Sequence, residues 1–468
     1  MKLTRSEILG VPHIRALGFE TASSDPLTGV STDSRATKPG EVFIALRGER
    51  FDAHDFVTKA IGCGAAAVVV DRKWADANGT MLVSIGVPRL VVEDTTVALG
   101  ALAALHRKKF TIPFIAIAGS NGKTTTKNML SAVLATKYSV LSTDGNLNNQ
   151  VGVPQTLFRL SPEHDVAVVE IGTNHFGELE YLCRILAPTH GLITNIGREH
   201  LEFFGTLDGV MKAEGELLDS LRSAKGTLFL NKDDEHLVKR TRRMKGLKLA
   251  SFGFRARSVD VKGTLLELDE DGCSRIKIRP KGKSPAVLQL RVPGEQNAKN
   301  ALAAAAVGIS MKVSSRDILS ALEGFSSAGK RSELVRLNGL VILNDSYNAN
   351  PDSVLEALRT LRSIKTTGRR IVVLGDMLEL GKRAEKEHQA VGKAMGQYKV
   401  DCLFTFGDLT KITNNAALVK MKNHFADKML LAERLADFVA RGDAVLVKGS
   451  RGMRMEDVVT HLQQTFRD

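Results

Sequence analysis

Cysteine, aromatic residues and long apolar runs are all scarce in this chain. Its four cysteines stand at positions 63, 183, 273 and 402, too far apart for the paired spacing of a metal knuckle. Each lies in or beside an apolar run, so all four read as small buried hydrophobes in a reducing compartment. Aromatic residues make up 5% of the chain, with one tryptophan, and they are not interleaved with the basic residues. That argues against a stacking platform for single-stranded nucleic acid. No apolar run approaches the roughly 20 residues that a membrane span needs. The opening MKLTRSEILGV lacks the apolar core of a secretory signal. The expectation is a cytoplasmic chain with no integral membrane association.

Positive charge is plentiful. Lysine and arginine number 65 against 52 acidic residues, a net +13 over 468 residues. Nucleic acid and a strongly anionic small substrate could each answer that balance. The charge is spread out, with only short clusters such as Lys239-Arg240-Thr-Arg242-Arg243, so small anionic ligands are the better reading. The length suggests roughly three domains, and 43% hydrophobic residues supply apolar material for several cores.

One stretch organises the rest: Ile115-Ala-Ile-Ala-Gly-Ser-Asn-Gly-Lys-Thr-Thr-Thr126. The apolar run 113–118 reads as a buried strand, the run breaks at Gly119, and a helix is expected from Lys123 to about Ala135. A strand, a glycine turn and a helix N-terminus make an anion site, because N–H groups and the positive end of the helix dipole face one point. Lys123 adds a cation for a β/γ-phosphate and the Thr124 hydroxyl suits Mg²⁺. The usual phosphate loop has a glycine five residues before Gly122, where this chain has Ile117. The shorter G-x-x-G-K-T is a variant of it.

Around this loop the pattern is α/β. Residues 1–107 alternate short strands (42–46, 65–70, 90–92) with helices, as a smaller N-terminal domain. Ser31 to Gly40, with Ser34 and Arg35, could bind an anion or simply turn. Residues 108–328 repeat β-α, with strands near 113–118, 165–171, 189–196 and 226–230, which implies a mostly parallel central sheet covered on both faces. A more antiparallel stretch (258–292) leads into a strong helix from Gln296. Residues 329–468 form a third, Rossmann-like unit with strands 340–343, 371–374 and 444–447, each running into a polar loop. Pro351 behind Asn350 reads as a first-turn proline after an N-cap.

In parallel sheets ligands bind beyond the carboxyl ends of the strands. Glu170 closes an apolar strand and is either a surface charge or a carboxylate for Mg²⁺, a hard cation that takes oxygen ligands. His200 follows the next strand end and alone reads as an ordinary polar histidine. In the expected helix from Thr206 to Leu221, the apolar stripe Leu207, Val210, Met211, Leu217, Leu218 and Leu221 also holds Glu214. That carboxylate either reaches solvent at the helix edge or is buried, at a cost, for a partner or a metal.

Together these motifs resemble the Mur ligase family along almost the whole chain. Asp33-Ser-Arg35 with Pro39 to Gly48 is similar to its N-terminal uridine-nucleotide domain, and Ala118 to Thr125 resembles its ATP loop (Gly119, Ser120, Asn121, Gly122, Lys123, Thr124, Thr125). Asn146-Leu-Asn-Asn149 through Pro154, Glu170-Ile-Gly and His200-Leu-Glu resemble the central domain. Asn297 matches a residue contacting the ATP base region and Arg331 an interdomain arginine. Asp345-Ser-Tyr-Asn-Ala-Asn-Pro351, Gly375-Asp-Met-Leu-Glu-Leu-Gly381 and Val447 to Met453 resemble the type that joins D-alanyl-D-alanine to UDP-N-acetylmuramoyl-tripeptide. A sister type would show Asp-Asn-Pro-Arg, which is absent.

The resemblance implies an ATP-dependent amide ligase of peptidoglycan precursor synthesis, acting as a monomer on small substrates rather than nucleic acid. It implies that Lys123 and the loop amides hold the γ-phosphate, that Thr124 and Glu170 hold one Mg²⁺, and that His200 binds a second. Asp345 would hold the ATP ribose. Ser34, Arg35, Asn146 and Asn149 would contact the uridine substrate, and Tyr347, Asn348 and Asn350 would lie near the adenine and dipeptide. The chain departs from the family at one position. Mur ligases usually carry a carbamylated lysine in this helix, and the alignment places Glu214 there. Lys212 lies two residues away, roughly 200° around the helix. Glu214 is therefore expected to supply a fixed carboxylate as a metal ligand. A sister ligase and a basic phosphate-loop NTPase acting on nucleic acid are the alternatives.

Overall fold

The computed structural model describes residues 4–11, 15–17, 27–48, 51–84, 87–327 and 329–466; the expected domain boundary at residue 328 and the first three residues of the opening segment lie outside them. The chain has the expected three-domain α/β class with mostly parallel sheets. By packing it divides into two compact units. One holds residues up to 116 with 138–172 and 178–189; the other holds 117–137, 173–177 and everything from 190 onward. The cut passes through the strand Phe114–Ala118.

In the first unit, the strands Gly29–Ser31, Glu41–Ile44, Ala67–Asp71 and Arg89–Val92 run parallel, and Arg15–Leu17 closes the edge antiparallel to Arg89–Val92. Val42, Ile44, Val69 and Leu90 meet Leu99 and Leu102 of the helix Thr95–Arg107 in one core, while Phe43, Val68 and Val70 face a second core. Alternate residues of the same strands thus feed both faces, as period-two geometry requires. The same unit holds Val140–Ser142 parallel to Val166–Glu170.

In the second unit, His190–Ile193, Thr227–Asn231 and Lys248–Gly253 run parallel. They continue through a short parallel pairing into Val261–Leu268, and Cys273–Pro280 and Ala286–Pro293 then follow as an antiparallel meander. The helix Glu295–Ser310 buries a nearly unbroken run of alanines. The last sheet has the order Glu333–Leu337, Leu340–Asp345, Ala444–Lys448, Arg370–Gly375, Cys402–Phe406, Met421–Phe425, parallel except at its first pair. The last strand of the chain therefore inserts between two earlier ones, and Asp345 and Lys448 end neighbouring strands. Sequence reasoning passed over Cys402–Phe406 and Met421–Phe425, the latter a mixed, half-buried edge strand. The helix expected over 206–221 is two segments, Leu207–Glu214 and Glu216–Ser223. Gly215 between them keeps right-handed dihedrals and its N–H still reaches Met211 O at 2.9 Å, so the buried stripe carries across.

Among the described residues no helix is long and apolar enough to cross a membrane. In the first unit Arg107, 8% exposed, donates to the carbonyls of Leu186 (2.6 Å), Ala187 (2.8 Å) and Phe110 (2.9 Å) and lies 3.5 Å from the Phe114 ring centre. Burial pulls its pKa down to about 10, so it stays charged at neutral pH. Arg107→Met leaves those carbonyls unsatisfied and should cost about 3 kcal/mol, read as a lower midpoint in urea unfolding.

Candidate active site

The variant phosphate loop is built on two glycines with positive φ, Gly119 at 110° and Gly122 at 82°. A Cβ on Gly119 would stand 2.4 Å from Thr194 Oγ1, and one on Gly122 would stand 2.5 Å from Asn300 Oδ1. Both positions require glycine. Ile117, where the longer loop has its glycine, is a fully buried residue inside the strand Phe114–Ala118. Gly122 is the N-cap of the helix Lys123–Ala135.

The loop amides are largely spent inside the protein. Gly119 N–H donates to Glu214 Oε2 (2.8 Å), Ser120 N–H to Asn195 O (2.9 Å) and Asn121 N–H to Asn195 Oδ1 (3.2 Å). Asn195 returns a bond from Nδ2 to Asn121 O (2.9 Å), and Gly197 N–H donates to Ser120 Oγ (2.8 Å). Three of the loop amides expected to hold the γ-phosphate thus have partners within the protein in this structure. The N–H groups of the helix's first turn have no partner within the helix. Thr124 is buried there and Thr125 is half-buried. Lys123 Nζ bonds Gly119 O at 2.5 Å and lies 3.3 Å from Glu199 Oε2.

Glu214 is wholly buried. Its helix-edge alternative, in which it reaches solvent, does not hold. Burial raises its pKa to about 8, helped by the neighbouring Glu199 carboxylate and opposed by the Lys123 ammonium and the Gly119 N–H. Glu199, 5% exposed, was not anticipated; only its neighbour His200 was. Glu214 Oε1 and Glu199 Oε1 receive no N–H or hydroxyl donor, and the two acid side chains lie within hydrogen-bonding reach of each other, so a proton on Glu214 can be shared between them. Two buried carboxylates with open oxygens beside one ammonium make a site that suits a further cation. Lys212 is exposed, with Nζ 5.0 Å from the Phe176 ring centre.

In the first unit Glu170 ends its strand with 1% exposure. Asn148 Nδ2 donates to its Oε1 (2.8 Å) and Thr143 Oγ1 accepts its N–H (3.0 Å), while Oε2 has no partner. The surface-charge alternative is therefore excluded. Asn148 holds this carboxylate; Asn146 and Asn149, expected to contact the uridine substrate, are exposed, with Asn149 Oδ1 accepting from Val151 and Gly152 N–H. Among the described residues no three His, Cys, Asp or Glu side chains gather into a metal site of their own. That is compatible with Mg²⁺, which keeps several waters and takes one or two carboxylates plus substrate phosphates. The open buried oxygen of Glu170 in the first unit and that of Glu214 in the second are each of the hard type that such an ion takes.

His200 has a left-handed backbone (φ 45°), and its Nδ1 lies 2.7 Å from Glu379 Oε2. Glu379 belongs to the Gly375–Gly381 motif and was not assigned a role from sequence. The Nδ1 contact leaves Nε2 as the ring's second nitrogen for a ligand.

At the last sheet, Asp345 is already paired: Lys448 Nζ, in a residue 2% exposed, lies 2.5 Å from its Oδ2, and Ser332 N–H donates to its Oδ1 (2.9 Å). The Arg331 guanidinium carbon stands 3.6 Å from the Tyr347 ring centre and that of Arg451 5.6 Å. Asn348 Oδ1 accepts from Ala349 and Arg451 N–H. Asn350 is the expected N-cap of the helix Pro351–Ser363, in a reciprocal capping box with Ser353, and its Nδ2 also donates to Asn121 Oδ1 (2.9 Å). Asn297 is buried and serves the framework, with Nδ2 on Pro293 O (2.8 Å) and Oδ1 accepting from Asn300, the residue that faces Gly122. In the first unit Ser34 is buried in its turn, while Arg35 is exposed and forks onto Asp33 at 2.7 and 2.9 Å, holding that carboxyl down at about 2.

Comparison with known proteins agrees with this layout. Residues 26–107 match the family described as Mur ligase family, catalytic domain, residues 117–308 the Mur ligase middle domain, and residues 330–451 the Mur ligase, glutamate ligase domain. The UDP-N-acetylmuramoyl-tripeptide–D-alanyl-D-alanine ligase of Escherichia coli (strain K12) is 37% identical over 441 residues, 94% of each chain. The ligase of the same name from Bacillus subtilis (strain 168) is 34% identical over 93% of each. A crystal structure of MurF from Acinetobacter baumannii superposes with a TM-score of 0.89 at 30% identity, covering 99% of both chains. MurF from Thermotoga maritima in complex with ADP gives 0.80 at 26% identity, covering 94% of this chain and 98% of that one. These matches run through the nucleotide loop, both buried carboxylates and the last sheet alike: the chain belongs to the Mur ligase family.

Proposed function

We propose that this chain is an ATP-dependent amide ligase that joins D-alanyl-D-alanine to UDP-N-acetylmuramoyl-tripeptide, a step of peptidoglycan precursor synthesis. The observation that carries the reading is the buried Glu214 clasping the first glycine of a phosphate loop, in a chain whose relatives bear that ligase's name end to end. In the reaction, a terminal carboxylate oxygen of the tripeptide attacks the γ-phosphorus of ATP, and ADP leaves. The dipeptide amine then attacks the acyl carbon of the resulting acyl phosphate; an amide forms, and phosphate and a proton depart.

Lys123 and the first helical turn neutralise and orient the γ-phosphate, which is the main task in phosphoryl transfer. To do so Lys123 exchanges its resting bond to Gly119 O for the phosphate. Of the residues assigned to Mg²⁺, of which two ions are expected, Thr124, Glu214 and His200 belong to the second unit and Glu170 to the first. When bound, Mg²⁺ supplies charge neutralisation at the transferred phosphoryl group. Asp345 is assigned to the ribose of ATP, sharing its carboxylate with Lys448, and Tyr347, Asn348 and Asn350 to the adenine and dipeptide region. Ser34, Arg35, Asn146 and Asn149 are assigned to the uridine substrate. The same reading keeps the protein cytoplasmic and monomeric and sends its positive charge to small anionic substrates rather than nucleic acid.

Phosphate release should need ATP, the tripeptide nucleotide and D-alanyl-D-alanine together. Turnover driven by nucleic acid and indifferent to the dipeptide would overturn the ligase reading. Lys123→Ala should lower kcat by about 10²–10³-fold in that assay. Glu214→Gln should raise the Mg²⁺ concentration needed for half-maximal turnover by about tenfold or more. Removal of bicarbonate should leave the unsubstituted enzyme's rate unchanged, because a fixed carboxylate needs no CO₂.

A further inference from the structure

Three consecutive side chains after the strand His190–Ile193 engage three different parts of the second unit. Glu199 faces Lys123 of the phosphate loop and His200 faces Glu379. Arg198 makes the densest set. Its backbone N–H donates to Asp352 Oδ2 (2.6 Å), Nε and Nη2 both reach Asp352 Oδ1 (2.9 and 2.5 Å), and Nη1 reaches Glu387 Oε2 (2.7 Å). Asp352 lies in the first turn of the helix Pro351–Ser363, which packs on the last sheet's strand Ala444–Lys448, and Glu387 in the helix Ala384–Ala394, which packs on that helix.

From this geometry we infer that Arg198 is a positioning residue that couples the last-sheet segment, with its dipeptide side, to the phosphate loop. The inference rests on the ligase reading for what is being positioned. Side-chain exposure is 26% for Arg198, 34% for Asp352 and 7% for Glu387. A carboxylate as buried as Glu387 is costly without its partner, and the planar arginine fork reaches two carboxylates from separate nitrogens, a spread that the single ammonium nitrogen of lysine does not offer. The loop bearing Arg198 is fastened to the phosphate loop from its other side, through Asn195 on Asn121 and Gly197 on Ser120. Asn350, two residues before Asp352, also donates to Asn121. Further along, Glu202 N–H donates to Glu379 O (3.0 Å), and a Cβ on Gly381 would stand 2.9 Å from Glu202 Cα. Movement of Asp352 and Glu387 is thereby transmitted to the short stretch that presents Glu199 and His200. Arg198 touches neither the phosphate loop nor any reacting atom, so its effect is felt through its neighbours.

The test compares Arg198→Ala, Arg198→Lys, Asp352→Asn and the Arg198→Ala/Asp352→Asn double variant in the full-length enzyme. The readouts are kcat and KM for D-alanyl-D-alanine, Kd for the tripeptide nucleotide, thermal midpoint, and amide hydrogen exchange of residues 195–204 and 349–354. Arg198→Ala should lower kcat/KM for the dipeptide by about tenfold or more, with Kd for the tripeptide nucleotide within twofold and with protection lost in both segments together. Arg198→Lys should recover part of the loss, and the double variant should be no worse than the more impaired single one. A dipeptide kcat/KM within twofold of the unsubstituted enzyme, fully additive losses, or losses that simply follow the thermal midpoint would each overturn the inference. If Arg198→Ala does not fold, Asp352→Asn decides by the same readouts. If the unsubstituted enzyme shows no dipeptide-dependent phosphate release, the ligase reading fails by itself. Exchange then decides the coupling: joint loss of protection in the Arg198 variants supports it, and unchanged protection overturns it.

Discussion

A carboxylate with no access to water holds the N–H of the first loop glycine, and the rest of the nucleotide site is arranged around that contact. Glu214 reaches Gly119 because an apolar helix face carries it inward. Glu199 is buried beside it, and Lys123 is the ammonium facing both. Burial and the neighbouring Glu199 raise the Glu214 pKa to about 8, so its carboxyl keeps a proton at neutral pH until a cation displaces it. The open oxygens of Glu214 and Glu199 make sense if a cation arrives with the nucleotide, since an unpaired buried oxygen is otherwise a pure cost.

The loop has its shape for the same reason. Gly119 and Gly122 are glycine because Thr194 and Asn300 press on them, and Asn195 spends the amides of Ser120 and Asn121. A loop fixed so fully from behind presents only its helical first turn forward. Under the proposed reading the short motif divides the labour differently from the longer phosphate loop: framework residues stiffen the turn, and the helix terminus with Lys123 is left for the anion.

The loop, the strands that carry site residues and the place of Glu214 on an apolar stripe were legible in the sequence, each for a local reason. A five-residue apolar run before a glycine reads as a strand, and seven-residue spacing puts Glu214 on the stripe of Leu207 and Leu221. The cap at Asn350 was legible because Pro351 follows it. What stayed hidden depends on distant partners. Arg198 meets residues 154 and 189 positions away, and Glu199 meets one 76 positions away, which no local pattern encodes. Asn148 was masked by Asn146 and Asn149, because three asparagines in four positions look alike until the backbone aims one at Glu170. The pairing of Asp345 with Lys448 was hidden for a topological reason: the chain's last strand returns to lie beside its Leu340–Asp345 strand.

The departure at Glu214 can be argued from helix geometry. A carbamate on Lys212 would have to project from the face that here is exposed and lies over the Phe176 ring. Residues two apart on a helix point about 200° away from each other, so no rotamer of Lys212 delivers a carboxylate to Gly119 without unwinding a turn. Glu214 has a shorter reach than a carbamylated lysine, and its Oε2 accepts the Gly119 N–H directly at 2.8 Å. The shorter side chain also has fewer rotatable bonds to order. Under the proposed reading, a fixed acid on this buried helix stripe would take the place of a ligand that otherwise has to be made from CO₂.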